Sequence, residues 1–420
     1  MRKILTLIIV LSFCSCKAQT KFKSTIEFTS DLEKFENLSK LKETLKDIEI
    51  IALGENTHGL GEVFTAKTEL VKFLHQELGF NLVLFESGYG DGALAWERLD
   101  SISTREFTNA FSSNFYYNSE EIENLVTYVK SQKNGLKIQG FDCQPQQNYL
   151  IKRMTEVVQP LDSTFSKSVS FEMRSFNNLY QFENDKDTIS FNKQREKFIR
   201  FLNNYDAFID RNINELLQTE TTINEISALK KSNEIFRNTY SEINIGELMS
   251  WPTSANLRDK ALFEIVKSFK EKNSELKIII WAQNSHIENK TKPNHNVNWM
   301  GHSLKKTFGD KYYSIGTIVY SGKNLNYNGT FDFETDYFIP KFFTPNNDGV
   351  NDVWQVYDRL NLVNNISIYN RHGKLIKFLP SSATSWDGTF NGKRLNSGSY
   401  WYEIVLNTQD VLRGYFALKR

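Results

Sequence analysis

The amino-acid sequence predicts an α/β domain, with a mostly parallel sheet, flanking helices and a helical insertion, followed by a small C-terminal antiparallel β-sandwich. Three observations predict this fold class. From Glu49 onward, short apolar runs alternate with segments of helical periodicity, which is typical of a parallel sheet covered on both faces. Between Gln147 and Ser274 the strand signal disappears and charged amphipathic segments replace it. After about Phe333 the chain changes to short alternating runs separated by turn residues.

Length and composition bound the class of protein. The chain has 420 residues, which corresponds to two or three domains at about 150 residues each. With 40% hydrophobic residues, 24% charged residues and only 7 Pro, it is neither disordered nor collagen-like. Lys and Arg number 51 against 50 Asp and Glu, so the formal net charge is +1. No basic field therefore favours nucleic acid as a partner.

The N-terminus has the pattern of an export signal over residues 1–18. Two basic residues precede a short apolar run, and small residues follow up to Ala18, where we expect cleavage. The run is too short to span a bilayer, which takes about 20 apolar residues. No other segment has transmembrane character. A lipidated Cys14 or Cys16 is one alternative, and a cytoplasmic protein with an apolar first strand is another.

Five apolar runs are the predicted strands of the α/β domain, and helical segments lie between them. The strand-like runs are residues 50–53, 81–85, 137–141, 277–281 and 312–320. The helical segments include residues 62–78 and 120–133, with 193–217 and 222–248 inside the insertion. We place this domain at residues 19–335.

Turn signals divide the last part of the chain into short strands. They are Asn347-Asp348-Gly349, Asp387-Gly388 and Asn391-Gly392. The runs between them, such as 366–369 and 399–405, alternate apolar and polar residues. More than eighty residues of this kind predict the β-sandwich, which we place at residues 336–420.

Four polar clusters follow directly after predicted strands of the α/β domain. In an open α/β sheet, ligands bind outside the carboxyl ends of the strands. This topology brings two histidines and at least three carboxylates to one edge, where we expect the functional site. The clusters are Gly54-Glu55-Asn56-Thr57-His58-Gly59 with Glu62 and Lys67 beyond it, Glu86-Ser87-Gly88, Gly140-Phe141-Asp142, and Gln283-Asn284-Ser285-His286.

A histidine beside carboxylates is a general base that can take a proton from water. Taken singly, Glu55 is equally well explained as a helix cap and His58 as a structural histidine. Glu86 and His286 each follow an apolar run, where a buried polar group needs a partner. No Gly-x-Ser-x-Gly motif indicates a serine nucleophile, and Cys143 has no adjacent histidine. No His-Glu-x-x-His motif predicts zinc, although two His and two Glu could bind a divalent ion.

These clusters resemble the erythromycin esterase-like family over roughly residues 51–319. The first cluster, with Glu62, is similar to the family's Gly-Glu-x-Thr-His-Gly-x-x-Glu signature, and residues 281–286 are similar to its Trp-Ala-His-Asn-x-His motif. Four further blocks match the family. They are Leu78-Gly79-Phe80 leading into Glu86, Gly140-Phe141-Asp142, Asn256-Leu257-Arg258-Asp259, and Met300-Gly301 continuing to Leu304.

The resemblance implies a hydrolase that opens a macrolide lactone without a metal. It also implies that His58 activates water and that Glu55 and Glu86 assist. Gln283 stands where the family's motif has its first histidine, and Lys67 stands where the family commonly has arginine. The stretch that the family carries beyond the fifth strand is replaced by a different domain. We therefore expect an ester or lactone other than a macrolide as the substrate.

The C-terminal segment resembles the gliding motility-associated C-terminal domain, the type B sorting domain of type IX secretion. The matching blocks are residues 342–352, 368–373, 386–389, 391–393, 397–400 and 418–420. The resemblance implies that the type IX secretion machinery recognises this domain and delivers the protein through the periplasm to the cell surface or medium. A carbohydrate- or protein-binding sandwich is the alternative. Asp348, Asn351 and Asp352 fit either calcium ligands or turn formers.

We therefore predict an exported hydrolase of an ester or lactone that uses no cofactor and no metal. His58 deprotonates water, Glu55 and Glu86 orient His58 and the water, and His286, alone or together with Lys67, stabilises the oxyanion. The predicted substrate-binding residues are Glu62, Lys67, Asp142, Gln283 and Asn284. A surface binding protein on the same fold, without turnover, and a metal-dependent hydrolase are the alternative functions.

Overall fold

The structure is a computed structural model whose chain divides into two compact units. It describes residues 6–10, 26–27, 39–111, 117–144, 147–176, 188–289, 296–318, 321–326, 329–334, 337–340, 342–346, 352–358 and 361–420. The first unit is Met1–Val319 with Asn324–Gly329, and the second is Tyr320–Lys323 with Thr330–Arg420. In these described ranges, no helix has both the length and the apolar character needed to cross a membrane. Cys14, Cys16 and the expected cleavage site at Ala18 lie outside them.

In the described part of the chain, seven strands form the sheet of the first unit. They are β1 (Thr6–Val10), β2 (Ile26–Glu27), β3 (Ile50–Glu55), β4 (Leu82–Gly88), β5 (Lys137–Asp142), β6 (Ile278–Gln283) and β7 (Tyr312–Ile318). Their order across the sheet is β2-β1-β7-β3-β6-β4-β5. Neighbours among β3 to β7 are parallel, whereas β1 and β2 add antiparallel pairs at one edge. The predicted mostly parallel sheet is confirmed, and β1 lies within the predicted signal peptide.

The order of the strands positions the site. β3 and β4 follow each other along the chain but lie on either side of β6. Every residue of β3 and β4 is buried, as expected for strands covered on both faces. Because the three strands are parallel, their carboxyl ends are neighbours at one edge of the sheet, and each has a polar side chain within its last three residues.

Helices cover both faces of this sheet. They are α1 (Ser39–Leu45), α2 (Gly61–Leu78), α3 (Tyr89–Glu97), α4 (Thr104–Phe111), α5 (Glu120–Ser131), α6 (Asn148–Val158), α7 (Ser163–Ser175), α8 (Thr188–Arg211), α9 (Ile213–Leu216), α10 (Ile223–Tyr240), α11 (Ile245–Met249), α12 (Thr253–Lys272), α13 (Asn284–Ile287) and α14 (Met300–Phe308), with a 3₁₀ helix at Gly309–Lys311. Side chains of β3 alternate between two cores. Ile51 and Leu53 pack with α2 and α5, and Ile50 and Ala52 pack with α12 and α14.

The predicted helical insertion is confirmed, since α6 to α12 lie between β5 and β6. A separate apolar core joins α6, α7, α8 and α10, with Phe198 and Tyr205 fully buried in it. Thr222 begins α10 through a capping box, in which its side chain and that of Glu225 accept from each other's backbone N–H. The insertion therefore has a core of its own and brings α12 back to the edge of the sheet.

The second unit is rich in β-structure. Its strands and the hairpin that precedes them are β8 (Ser321–Asn326), β9 (Gly329–Glu334), β10 (Tyr337–Phe338), β11 (Phe342–Phe343), β12 (Trp354–Gln355), β13 (Tyr357–Asp358), β14 (Val363–Tyr369), β15 (Leu375–Pro380), β16 (Ser385–Trp386), β17 (Thr389–Phe390), β18 (Lys393–Arg394), β19 (Gly398–Leu406) and β20 (Val411–Leu418). The main sheet has the order β11-β20-β19-β14-β15, and all its pairs are antiparallel except β11 with β20. The remaining strands form two-stranded ladders.

The turn signals of this unit behave as predicted where the structure describes them. Asn391 and Gly392 both have positive φ, 50° and 74°, which is the geometry of a two-residue hairpin turn between β17 and β18. Asp352 Oδ1 accepts from the backbone N–H of Asn346 at 3.0 Å, as a turn-forming side chain does. The signal at residues 347–349 and Asn351 lie outside the described residues.

Candidate functional site

Four polar residues lie where neighbouring strands end. Glu55 closes β3 and is paired in register with Gln283, which closes β6. Glu86 follows Phe85 in β4, and Asp142 closes β5. Since β3, β6, β4 and β5 are adjacent and parallel, these residues meet at one edge of the sheet. The convergence expected from the sequence is present in the structure.

The first set of contacts centres on the buried carboxylate of Glu55, and we call Glu55, His58, Lys67 and Tyr117 the Glu55 group. His58 Nδ1 lies 2.6 Å from Glu55 Oε1, and Lys67 Nζ donates to Glu55 Oε2 at 2.7 Å. The Tyr117 hydroxyl lies 3.0 Å from Glu55 Oε1 and 2.8 Å from His58 Nδ1. Lys67 also lies over the ring of Trp281, 4.2 Å from its centroid. Three side chains thus hold one carboxylate.

The short contact between His58 and Glu55 selects a tautomer of the imidazole. A distance of 2.6 Å to a carboxylate oxygen requires a proton between the two atoms, so Nδ1 carries it. The other ring nitrogen, Nε2, then has the lone pair. The His58 side chain is 17% exposed, whereas that of Glu55 is fully buried. This arrangement is that of a general base oriented by a buried carboxylate.

The other two members of the Glu55 group have perturbed protonation equilibria. Burial lowers the pKa of Lys67 to about 8, although the charge of Glu55 opposes the shift. Burial, together with the nearby charges of Glu55 and Glu86, raises the pKa of Tyr117 well above its ordinary value. Tyr117 is therefore a neutral hydrogen-bonding group, and Lys67 is a cation that titrates in the mildly alkaline range.

A second set of contacts centres on Arg258 of α12, and we call Arg258, Glu86, Asp142, Asp259 and His286 the Arg258 group. The guanidinium forms a bidentate pair with Asp142, Nη2 to Oδ2 at 2.6 Å and Nε to Oδ1 at 3.2 Å. Arg258 Nη2 also donates to Glu86 Oε1 at 2.9 Å. His286 Nδ1 lies 2.9 Å from both oxygens of Asp259, which in turn accepts from the backbone N–H of Met300.

His286 is held between two carboxylates. Its Nε2 lies 3.3 Å from Glu86 Oε1 and 3.0 Å from Arg258 Nη1. Burial disfavours the charged ring, but Glu86 and Asp259 outweigh burial and raise the pKa of His286 to about 9. The approach of Arg258 suits a neutral His286 ring. The three carboxylates outnumber the one guanidinium, however, and favour the imidazolium more strongly. Burial also opposes ionisation of Glu86, but His286 and Arg258 hold its pKa well below the ordinary range.

Residues of β6 connect the two groups. The backbone N–H of Gln283 donates to Glu86 Oε2 at 2.8 Å, while Gln283 itself is paired with Glu55 in the sheet. The ring of Trp281, which lies under Lys67, stacks on Phe85 with centroids 5.1 Å apart. The charge of Glu86, a member of the Arg258 group, acts on Lys67 and on Tyr117 of the Glu55 group. The two groups therefore form one electrostatic unit at the edge of the sheet.

Comparison with known proteins identifies the families that the two parts of the chain match. Residues 75–338 match the model of the erythromycin esterase family, which is more than half of the chain. The chain belongs to this family. Residues 337–418 match the type IX secretion signal domain named CHU_C. A member of the erythromycin esterase family is thus followed by a secretion signal domain, which supports export to the cell surface or the extracellular space.

Curated relatives of this esterase family member include two bacterial proteins. The putative hydrolase YbfO of Bacillus subtilis is 27% identical over 316 residues, which are 69% of this chain and 69% of that protein. The erythromycin esterase type II of Escherichia coli is 23% identical over 316 residues, 69% of this chain and 73% of that protein. With family membership, these names support a hydrolase.

Two solved structures share the fold. A crystal structure described as a succinoglycan biosynthesis protein has a TM-score of 0.52 and 22% identity, covering 72% of this chain and 76% of its own. The crystal structure of a Bacillus cereus protein has a TM-score of 0.50 and 22% identity, covering 72% of this chain and 74% of its own. At this identity the likeness concerns the fold alone.

The residues predicted for the esterase site are not all placed together. Glu55, His58, Lys67, Glu86, Asp142, Gln283 and His286 belong to the two groups or join them. Glu62 is exposed in the first turn of α2. Asn284 is bound instead to β7, which lies beyond β3 in the sheet. Its carboxamide donates to Thr317 O at 2.7 Å and accepts from Thr317 N at 3.2 Å. This contact ties α13 to β7.

Three members of the two groups were not predicted as site residues. Arg258 and Asp259 lie in a block that resembles the family. Their adjacent opposite charges in an amphipathic helix could have indicated that they belong to the site. Tyr117 gave no signal, because it precedes α5 and reaches Glu55 only through tertiary packing. Among the described residues, no cluster of three or more His, Cys, Asp or Glu side chains is arranged to hold a metal ion.

A cavity of about 220 Å³ lies elsewhere, between α10 and α12. Its lining includes Ile235 and Asn238 from α10 and Leu257 and Lys260 from α12, and it contains no member of either group. Among the residues that the structure describes, the one carboxylate of its lining is that of Glu264, and no histidine lines the cavity, so it lacks the pair of imidazole and carboxylate found at the edge of the sheet. We therefore locate the chemistry at the edge of the sheet.

Proposed function

We propose that the chain hydrolyses a carboxylic ester or lactone with water activated by His58. The observation that carries the proposal is the 2.6 Å contact between His58 Nδ1 and Glu55 Oε1, which leaves the lone pair on Nε2. Nε2 takes a proton from water as the water oxygen attacks the carbonyl carbon. The carbon–oxygen bond of the ester then breaks, and the imidazolium returns the proton to the leaving alkoxide.

The negative charge that develops on the carbonyl oxygen needs a cation. We assign this role to His286, as we expected from the sequence, together with Arg258. The sequence alone did not suggest Arg258. The Arg258 side chain is 24% exposed, whereas that of His286 is 5% exposed and that of Lys67 is 1% exposed. Lys67 is better placed to hold Glu55, to which its ammonium donates at 2.7 Å. Glu86 and Asp142 orient Arg258, since both accept from its guanidinium.

The site residues supply fixed positive charge themselves. Lys67 neutralises Glu55, and Arg258 neutralises Glu86 and Asp142 in part, so the carboxylates are engaged without a metal ion. This engagement supports a mechanism in which protein cations perform the electrostatic work. The matching secretion signal domain supports secretion of the protein. We further propose that the domain boundary lies between residues 335 and 336 and that the signal peptide is cleaved after Ala18.

A panel of aryl esters and lactones tests the proposal on the purified chain from residue 19 to 420. We expect turnover of at least one ester class, and His58→Ala should lower kcat by about 10²–10⁴-fold, as loss of a general base does. The melting temperature should change little, because the His58 side chain is partly exposed and His58 lies outside the helices and strands. A His58→Ala variant that keeps more than half of its activity would exclude His58 as the base.

A further inference from the structure

Tyr117 is the member of the Glu55 group that lies neither in the sheet nor in the segment from β3 to α2. It lies two residues before Ser119, the N-cap of α5, and its side chain is fully buried. The ring packs edge-on against Phe85, with centroids 4.6 Å apart, and is tilted against Phe64 at 5.5 Å. Both partners belong to the core between the sheet, α2 and α5. The phenol ring is therefore fixed by the hydrophobic core.

The hydroxyl of this fixed ring lies at the junction of the proposed base and its carboxylate. It is 3.0 Å from Glu55 Oε1 and 2.8 Å from His58 Nδ1, and those two atoms are 2.6 Å from each other. A phenol has one proton and two lone pairs. Its proton can be donated to Glu55 Oε1 while a lone pair faces the proton on His58 Nδ1. All three atoms are thus joined in a closed triangle.

His58 needs a second partner to be oriented. It lies in the connection after β3, between Glu55 and the start of α2 at Gly61, and not in a helix or strand. One hydrogen bond at Nδ1 fixes a distance, whereas a second contact also fixes the plane of the ring. The Tyr117 ring lies edge-on to the imidazole, at 75° with centroids 5.1 Å apart, and so supplies that constraint as well.

We propose that Tyr117 is a positioning residue of the hydrolytic site, whose hydroxyl holds the Nδ1 side of His58 against Glu55 so that Nε2 faces the water. The proposal rests on the proposed function of His58 as the base. Charged groups that act on this unit are Lys67 from α2, Glu86 from β4 and Arg258 from α12. Tyr117 itself stays neutral, because burial raises its pKa well above the ordinary value.

Tyr117→Phe removes the hydroxyl and keeps the ring. We expect kcat to fall by about 10- to 100-fold, the loss given by one hydrogen bond to a charged group, with KM nearly unchanged. Without the hydroxyl, the Nδ1 side of His58 is held by Glu55 alone. The loss should therefore appear in kcat, which depends on the orientation of the base, and not in KM. A purely structural tyrosine would lower the melting temperature and leave kcat of the folded protein unchanged.

Tyr205→Phe is the matched control. Tyr205 is also fully buried, and its hydroxyl donates to Met154 O at 3.0 Å inside the helical insertion. The control should lose stability comparable to that lost by Tyr117→Phe and keep the kcat of the parent. If Tyr117→Phe has a kcat within two-fold of that of the parent, the proposal is wrong.

A proton NMR measurement tests Tyr117 without any substrate. The short contact of His58 Nδ1 with Glu55 should give a downfield proton resonance, assigned by its absence in His58→Gln. We expect the resonance in the parent and in Tyr205→Phe, and its shift or loss in Tyr117→Phe; an unchanged resonance overturns the proposal. If the resonance moves but no ester is hydrolysed by the parent, the positioning role stands and the proposed function fails.

A fluorinated tyrosine covers the case in which Tyr117→Phe does not fold. Incorporation of 3-fluorotyrosine at position 117 keeps the ring and the hydroxyl but makes the phenolic proton more acidic. The downfield resonance of His58 should then shift, because the shared oxygen of Glu55 receives a stronger hydrogen bond. A resonance identical to that of the parent would overturn the positioning role.

Discussion

Replacing Lys67 by arginine changes the charge of the site only in alkaline solution. The Lys67 ammonium is buried, 2.7 Å from Glu55 Oε2, and burial lowers its pKa to about 8. When it loses its proton, one positive charge disappears from a site in which an oxyanion must form. We therefore expect kcat/KM of the parent to fall above that pH. Arginine stays charged throughout this range.

The size of the effect follows from the two cations that titrate. At pH 9, one unit above the pKa of about 8, roughly one Lys67 in ten keeps its proton, so kcat/KM should be about a tenth of its maximum. In Lys67→Arg the next group to lose a proton is His286, whose pKa is about 9. The alkaline limb should therefore move up by about one pH unit.

The assay is kcat/KM on an activated ester between about pH 6 and 10 for the parent, Lys67→Arg and a control. Lys72→Arg is the control, because Lys72 lies in the same helix and pairs with Glu69 at 2.7 Å, away from Glu55. The control should reproduce the profile of the parent. If the alkaline limb of Lys67→Arg coincides with that of the parent while its melting temperature is retained, the charge of Lys67 does not contribute to the reaction.

Two further changes test other parts of the account. Glu86→Gln removes the charge that contributes most to the raised pKa of His286, so the pKa of His286 should fall below about 9. The maximum rate should also fall, because Arg258 loses a hydrogen-bond partner, and a pH profile of the variant measures both changes. A rate that a chelator abolishes and a divalent ion restores would replace the metal-free mechanism. Deleting residues 337–420 should leave the protein in the periplasm, since this segment matches a secretion signal domain; full export of the shortened chain, measured in cell fractions, would contradict that role.

The sheet was predictable because its strands are buried on both faces. Runs such as residues 50–53 and 278–281 contain only apolar side chains, and no helix of a surface layer would do so. The polar residues that end these runs were then placed correctly by topology alone, which is how Glu55 and Glu86 were found. The order of the strands, with β6 between β3 and β4, is set by long-range pairing and has no local signal.

The rest of the site was not predictable from local pattern. Tyr117 and Arg258 reach Glu55 and Glu86 from helical segments that are distant in sequence, by 62 and 172 residues respectively. The hydrogen bonds of Asn284 to Thr317 likewise depend on the pairing of β7 with β3. In the second unit, the parallel pairing of β11 with β20 joins the two ends of the domain, which the alternation of polar and apolar residues does not encode.

The charges of the two groups determine how a substrate would have to lie. With His58 neutral, the Glu55 group has no net charge, because Lys67 balances Glu55. The Arg258 group has three carboxylates against the guanidinium and the His286 imidazolium, a net charge of minus one. When His58 takes the proton, the positive charge forms beside Glu55, where it is stabilised. The oxyanion must form away from the carboxylates and near the exposed part of Arg258, so the carbonyl oxygen should point toward α12 and the water toward β3.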